Sequence, residues 1–199
     1  VKLFYSPTSP YVRKVMACAI ARGLAGQIET VPTNPHASPA DLVAANPTSK
    51  VPCLVTDDGL ALFDSPVICE YLDSRGDALP LFPATGAARW RALKFQAMGD
   101  GILDAAVPCR GEQGKPQEAA RDATIARYKA AMRRTVDALE ADPPHRLLDI
   151  GSIAVACALG YLDFRFGSEP WRDGHPKLAA WYEAFVRENP CIAETAPRE

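Results

Sequence analysis

The run from Asn46 to Ser65 constrains this chain more than any other stretch. It reads Asn46-Pro47-Thr48-Ser49-Lys50-Val51-Pro52-Cys53-Leu54-Val55, turns through Asp57-Asp58-Gly59, and returns as Leu60-Ala61-Leu62-Phe63. Two short apolar runs joined by Asp-Asp-Gly predict a β-hairpin, because glycine accepts the positive φ that tight hairpin loops demand. Pro52 has no amide to give to a ladder, so it marks an edge, a strand start or a cis bond. Asp64-Ser65-Pro66 then reads as a strand passing into a helix, with Ser65 as N-cap and Pro66 at the first helical position.

Such a stretch offers three contacts to a small acidic peptide. Val51 supplies extended backbone for strand-like pairing, and Asp64 a carboxylate for an ammonium. The helix start at Ser65 supplies a hydroxyl and unpaired amides for an anion. Together these suit a γ-glutamyl tripeptide.

The rest of the first third follows from periodicity. Residues 1–5 are a strand, and Ser9-Pro10 caps and begins a helix on which Val12, Val15, Met16, Ala19 and Ile20 share one face. Residues 28–31 form a second strand, so the strand-helix-strand order implies a parallel, right-handed crossover. Ser38-Pro39-Ala40-Asp41 has the capping-box pattern of a short helix. After the hairpin, a helix over 66–74 turns Val67, Ile68, Tyr71 and Leu72 inward. The order βαβαββα defines an α/β thioredoxin-like domain over residues 1–75.

Residues 76–84 carry prolines without helical period and read as a linker. Over 85–199 every strong signal is helical, which predicts an all-α domain. Trp90, Leu93, Ala97, Gly101 and Ala105 mark a long helix ending near Pro108, and residues 118–141 a second with Ile125, Tyr128, Met132, Val136 and Leu139 inward. Residues 151–166 are apolar on nearly every side, the mark of a buried central helix, and Asp149 and Ser152 cap it. Pro176 begins a last helix, with Leu178, Trp181, Tyr182, Phe185 and Val186 inward, stopped by Asn189-Pro190.

Composition excludes several partners. A net charge of −2 and a pI near 6.0 give no electrostatic case for nucleic acid or an anionic membrane. The longest uncharged apolar run, residues 150–162, is too short to cross a bilayer, and Val1-Lys2-Leu3 reads as a strand with no signal peptide before it. The 6 cysteines show neither CxxC nor metal-ligand spacing, and His36, His145 and His175 stand apart, so no metal is expected. Reduced core thiols in a cytoplasmic protein are the expectation.

A thioredoxin-like domain with Val51-Pro52 before a hairpin, Asp64-Ser65 at the next helix start, and an all-helical domain after it resembles the cytosolic glutathione transferases over essentially the whole chain. The opening Tyr5-Ser6-Pro7-Thr8-Ser9-Pro10-Tyr11-Val12-Arg13-Lys14, the run Gly160-Tyr161-Leu162-Asp163-Phe164-Arg165 and Trp171 look most like a bacterial branch of uncharacterised homologues in that family. The resemblance implies glutathione as cosubstrate. It implies a cis Pro52, Val51 pairing its backbone with the cysteinyl part, and Asp64 and Ser65 at the γ-glutamyl group. Lys50 would reach the glycyl carboxylate, and Asp100 the glutathione amine of a neighbouring subunit.

The resemblance leaves two hydroxyls for activating the glutathione thiol. Ser9 stands where cysteine-type members carry Cys-Pro, and Tyr5 where tyrosine-type members carry theirs. Ser9 is favoured, because a helix N-terminus adds its positive end, although a plain N-cap role also accounts for it. Pro10, Tyr11, Asp104 and Trp171, with Tyr161 and Phe164, are the expected wall of a second-substrate pocket, with core packing as the alternative. The implied activity is attack by the glutathione thiolate on an electrophilic, mostly apolar substrate in the cleft of a homodimer's subunit. Glutathione-dependent reduction of peroxides or disulfides, and ligand binding without turnover, are the alternatives. Serine at position 9 argues against a mixed disulfide there.

Overall fold

The computed structural model describes residues 1–116 and 118–198. Strand β1 (Lys2–Tyr5) pairs in parallel with β2 (Glu29–Pro32), Leu3 opposite Thr30, and antiparallel with β3 (Cys53–Val55), Phe4 opposite Cys53. Strand β4 (Ala61–Leu62) extends the hairpin from β3, giving the order β2-β1-β3-β4. The parallel pair needs a crossover, which helix α1 (Pro10–Ala21) supplies. Between β3 and β4, Gly59 adopts φ +87°, and its amide donates to the Thr56 carbonyl at 3.0 Å.

Two short helices complete this part: α2 (Ala40–Ala45) and α3 (Ser65–Arg75). Helix α1 packs against α3, burying Val12, Val15, Cys18 and Ala19 on one side and Ile68, Cys69 and Leu72 on the other. Phe4, Val12, Leu42, Val51 and Cys53 form a buried cluster that joins β1, α1, α2 and the start of the hairpin. At the far end, Arg22 Nε lies 3.1 Å from Asp73, whose carboxylate also accepts from the amides of Leu81 and Phe82. Gly76 is required there, since a Cβ would sit 2.6 Å from the Arg22 carbonyl oxygen.

The remaining helices are α4 (Gly86–Gln113), α5 (Ala119–Ala141), α6 (Ile150–Arg165), α7 (Pro176–Glu188) and α8 (Pro190–Glu194). Helix α6 is buried continuously from Ile150 to Leu162, as its all-round apolar sequence predicts. Its N-terminus carries a complete capping box: the Ser152 amide donates to Asp149 at 2.8 Å and the Asp149 amide to Ser152 Oγ at 2.9 Å. Helix α4 crosses it closely. A Cβ on Gly99 would meet the Ala154 backbone at 2.6 Å, and one on Gly151 the Ala92 carbonyl at 2.5 Å.

The chain divides into two units. The first comprises Val1–Arg89 with the segment from Cys191 onward, and the second Trp90–Pro190. The expected helical domain over 85–199 therefore loses its closing segment to the first unit, where Arg13 Nη2 donates to the Ile192 carbonyl at 3.1 Å.

Several local expectations are corrected. Val67 is 46 % exposed, because Ile68, Cys69 and Leu72 set the inward face of α3. Ser38 is left-handed with φ 45° and caps nothing; the residue before α2 is Pro39, which makes no side-chain cap. Pro108 lies inside α4 and does not end it. Pro108 has no amide to donate to the Asp104 carbonyl, and both residues are exposed. The buried stripe of α4 runs through Ala92, Phe95, Gly99, Ile102, Leu103 and Ala106, while Trp90 is 70 % exposed. Small residues mark the inward face because α6 approaches so closely. Pro190 stops α7 and also starts α8, which the sequence reading omits.

Candidate functional site

Ser9 is the N-cap of α1, and its Oγ accepts from the Val12 amide at 3.3 Å. Pro10 at the first helical position is buried. Val12 belongs to the same buried cluster as Val51, so the first turn of α1 and the start of the hairpin are neighbours.

The Val51–Pro52 peptide is cis. The ladder between β1 and β3 begins at Phe4 and Cys53, which leaves the Val51 main chain outside it. Asn46 shapes the approach to this bond, and sequence reading gave it no role. It is 1 % exposed, its Oδ1 accepts from the Thr48 amide at 3.0 Å, and its Nδ2 donates to the Lys50 carbonyl at 2.9 Å. Ser49 is thereby left-handed at φ 52°. The signal for Asn46 was its place before Pro-Thr, where an Asn side chain folds back on its own backbone. Lys50 itself is exposed, its carbonyl held and its side chain directed to the surface.

At the start of α3 the sequence expectation reverses. Ser65 is 1 % exposed, yet its Oγ caps nothing and has no hydrogen-bond partner among the described residues. A buried hydroxyl without a partner is costly, and this one stands at the positive end of an 11-residue helix. Asp64 before it is exposed and makes no side-chain cap. A carboxylate is therefore invited at Ser65 and an ammonium at Asp64.

Tyr5 lines a cavity with Val12, Arg13, Met16 and Thr30, and Ser9, Val51, Asp64 and Ser65 are not in its wall. Asp100 and Asp104 are on α4, and Tyr11 is half-buried on α1. Trp171, in the second unit, is 7 % exposed, donates its indole N–H to Asp163 at 2.7 Å and meets Tyr182 edge to face. Tyr161 is buried too, and burial pushes its hydroxyl pKa up. Cys53 is the cysteine next to the cis bond, and burial pushes its thiol up to about 11. It stays protonated near neutral pH and is no nucleophile. Among the described residues no group of three or more His, Cys, Asp or Glu side chains is placed to hold a metal.

Fold and site geometry together define a class, and sequence comparison agrees. Residues 8–75 match the model of the glutathione S-transferase N-terminal domain, and residues 122–184 that of the C-terminal domain. An uncharacterised GST-like protein of Escherichia coli K12, YibF, is 33 % identical over 203 residues, covering 99 % of this chain and 98 % of the relative. The chain belongs to the glutathione S-transferase family. A crystal structure of a family member from Pseudomonas fluorescens Pf-5 with bound glutathione is 39 % identical, with TM-score 0.91 over 100 % of this chain and 99 % of that one. A second structure from that organism holds S-(propanoic acid)-glutathione, at 38 % identity and TM-score 0.86 over the whole of both chains.

Proposed function

We propose that this protein binds glutathione in the first unit and transfers it to an electrophilic, mostly apolar substrate. The observation that carries the reading is the buried, unpartnered Ser65 hydroxyl at the N-terminus of α3, beside a carboxylate at Asp64. The γ-glutamyl end of glutathione has the two matching charges: its carboxylate would accept from Ser65 and the α3 amides, and its ammonium would face Asp64. Val51, held by the Asn46-braced turn and the cis Pro52, would pair its main chain with the cysteinyl residue, and Lys50 would meet the glycyl carboxylate. Glutathione and the thioether S-(propanoic acid)-glutathione in structures of similar proteins support both ligand and reaction.

The thiol then comes under Ser9 and the end of α1. Lowering a thiol pKa from about 8.5 by about two units requires about 2.7 kcal/mol of preference for the thiolate. A helix terminus supplies roughly 0.3–2 kcal/mol, and a hydrogen bond to an anion roughly 1.5–3. Ser9 can accept from Val12 and donate to sulfur at the same time. The thiolate attacks an electrophilic carbon, a C–S bond forms, and either a leaving group departs with the bonding pair or, in an addition, carbon takes a proton from water. Pro10, Tyr11, Asp104 and Trp171 enter this reading as the residues to test for second-substrate contacts, Asp100 as the one to test for contact with a neighbouring subunit's glutathione amine, and Tyr5 as the rival activator. Protein-thiol disulfide exchange is disfavoured by the protonated Cys53. A cytoplasmic homodimer completes the reading; the six buried cysteines suit a reducing compartment.

The test is a pH titration of thiolate ultraviolet absorbance for glutathione bound to the native protein and to Ser9→Ala. The bound thiol should titrate about two pH units below its free value in the native protein and at least about one unit higher in the variant. Binding with an unshifted thiol in the native protein would overturn thiol activation, and an unchanged value in Ser9→Ala would transfer the role to Tyr5.

A further inference from the structure

The cavity that Tyr5 lines lies within the first unit and has about 400 Å³, with walls from β1, α1, β2 and the C-terminal segment. Its apolar wall is Pro7, Val12, Met16 and Ile20. Arg13 stands in the same wall and is 7 % exposed. One guanidinium nitrogen, Nη2, donates to the Ile192 carbonyl, while Nε and Nη1 are buried without a hydrogen-bond partner among the described residues. A permanently charged group with two buried, unsatisfied nitrogens favours an anionic acceptor beside it. The cavity also carries Arg198 and Glu194. Among the described residues of the wall, two arginines stand against one glutamate, a balance that suits a monoanion. The volume is in the range of small-molecule sites.

We propose that this cavity binds a small monocarboxylate with an apolar body, its carboxylate on the Arg13 guanidinium and its body along Val12, Met16 and Ile20. Tyr5, the rival activator, lines this cavity, but Ser9, Lys50, Val51, Asp64 and Ser65 do not, so the assignment does not depend on those glutathione contacts. The cavity is nonetheless linked to Ser9 through the backbone, because Ser6 lines it and the Ser6 carbonyl accepts from the Ser9 amide at 3.1 Å.

Calorimetric titration of the full chain with octanoate, with 2-naphthoate as the aromatic counterpart and octanol as the uncharged one, tests the assignment. One equivalent of at least one acid should bind with a sub-millimolar Kd, and octanol roughly tenfold or more weakly, the loss of a charge-assisted pairing. Which acid binds more tightly distinguishes an aliphatic from an aromatic body. Arg13→Gln should weaken the acid roughly tenfold or more. Because Arg13 also anchors Ile192, a second variant decides if that one fails to fold: Thr30→Trp, on the exposed rim, should abolish acid binding while leaving glutathione affinity unchanged. No heat from either acid up to about 5 mM, equal binding of octanol, full binding by Thr30→Trp, or displacement of the acid by glutathione would each overturn the site.

Discussion

Ser65 and Cys53 show what a single atom can decide in this protein. The Ser65 hydroxyl is buried without a partner, so Ser65→Ala should leave stability unchanged or raise it slightly while weakening glutathione about tenfold, roughly 1.5 kcal/mol for one hydrogen bond to a charged group. Denaturant unfolding and calorimetry of the same variant separate the two effects. For Cys53 the folded thiol titrates near 11, above its ordinary value of 9.0, so the unfolded chain releases its proton first. Between those values the unfolded state binds fewer protons than the folded one, and stability should fall as pH rises from about 9 to about 11. Unfolding curves across that range should show the fall, and Cys53→Ala should flatten it. At this scale the sequence was legible where the signal is local. Ser9 before Pro10 reads as a cap and is one. Ser65 before Pro66 carries the same dipeptide, yet α3 begins one residue earlier, with Asp64 at the N-cap and Ser65 as the first helical residue, so its hydroxyl is not at the capping position.

The elements were legible in kind and order, and less so in orientation. The βαβαββα run follows from short apolar strands alternating with helical periods, and α6 from an unbroken apolar run with a cap before it. The inward face of α4 did not: a stripe begun at Trp90 and Leu93 runs through Ala97 and Gly101, whereas the buried face runs through Ala92, Phe95, Gly99, Ile102 and Leu103, where Gly99 lets the facing backbone approach. That close crossing carries a prediction. Gly99→Ala and Gly151→Ala each push a methyl within about 2.6 Å of backbone on the facing helix and should each lose about 1–3 kcal/mol, read as a lower denaturant midpoint. Alanine at exposed Gly101, two positions along α4 and open to solvent, should stabilise instead by about 0.5–1 kcal/mol. Interior Pro108 escaped the sequence reading for a related reason: whether a proline stops a helix depends on what receives the carbonyl it displaces.

At the scale of the molecule, the first unit is discontinuous, with the second inserted between Arg89 and Cys191. Removing the segment from Pro190 onward takes away the Ile192 carbonyl that holds Arg13 of α1 and one wall of the cavity beside that helix. Hydrogen exchange should then accelerate about tenfold or more at the amides of α1 and β1, while α6, capped and enclosed in the other unit, keeps its protection. Equal loss in both units would show that the division is not an energetic one. The same discontinuity bears on birth order. A chain leaves the ribosome N-terminus first, and domains made early generally fold early. Here residues 1–89 are made before the segment from Cys191 that completes their unit, so the helical insertion is made before the sheet and α1 receive those contacts, and a chain stalled short of Cys191 would expose an unfinished first unit to proteases and chaperones.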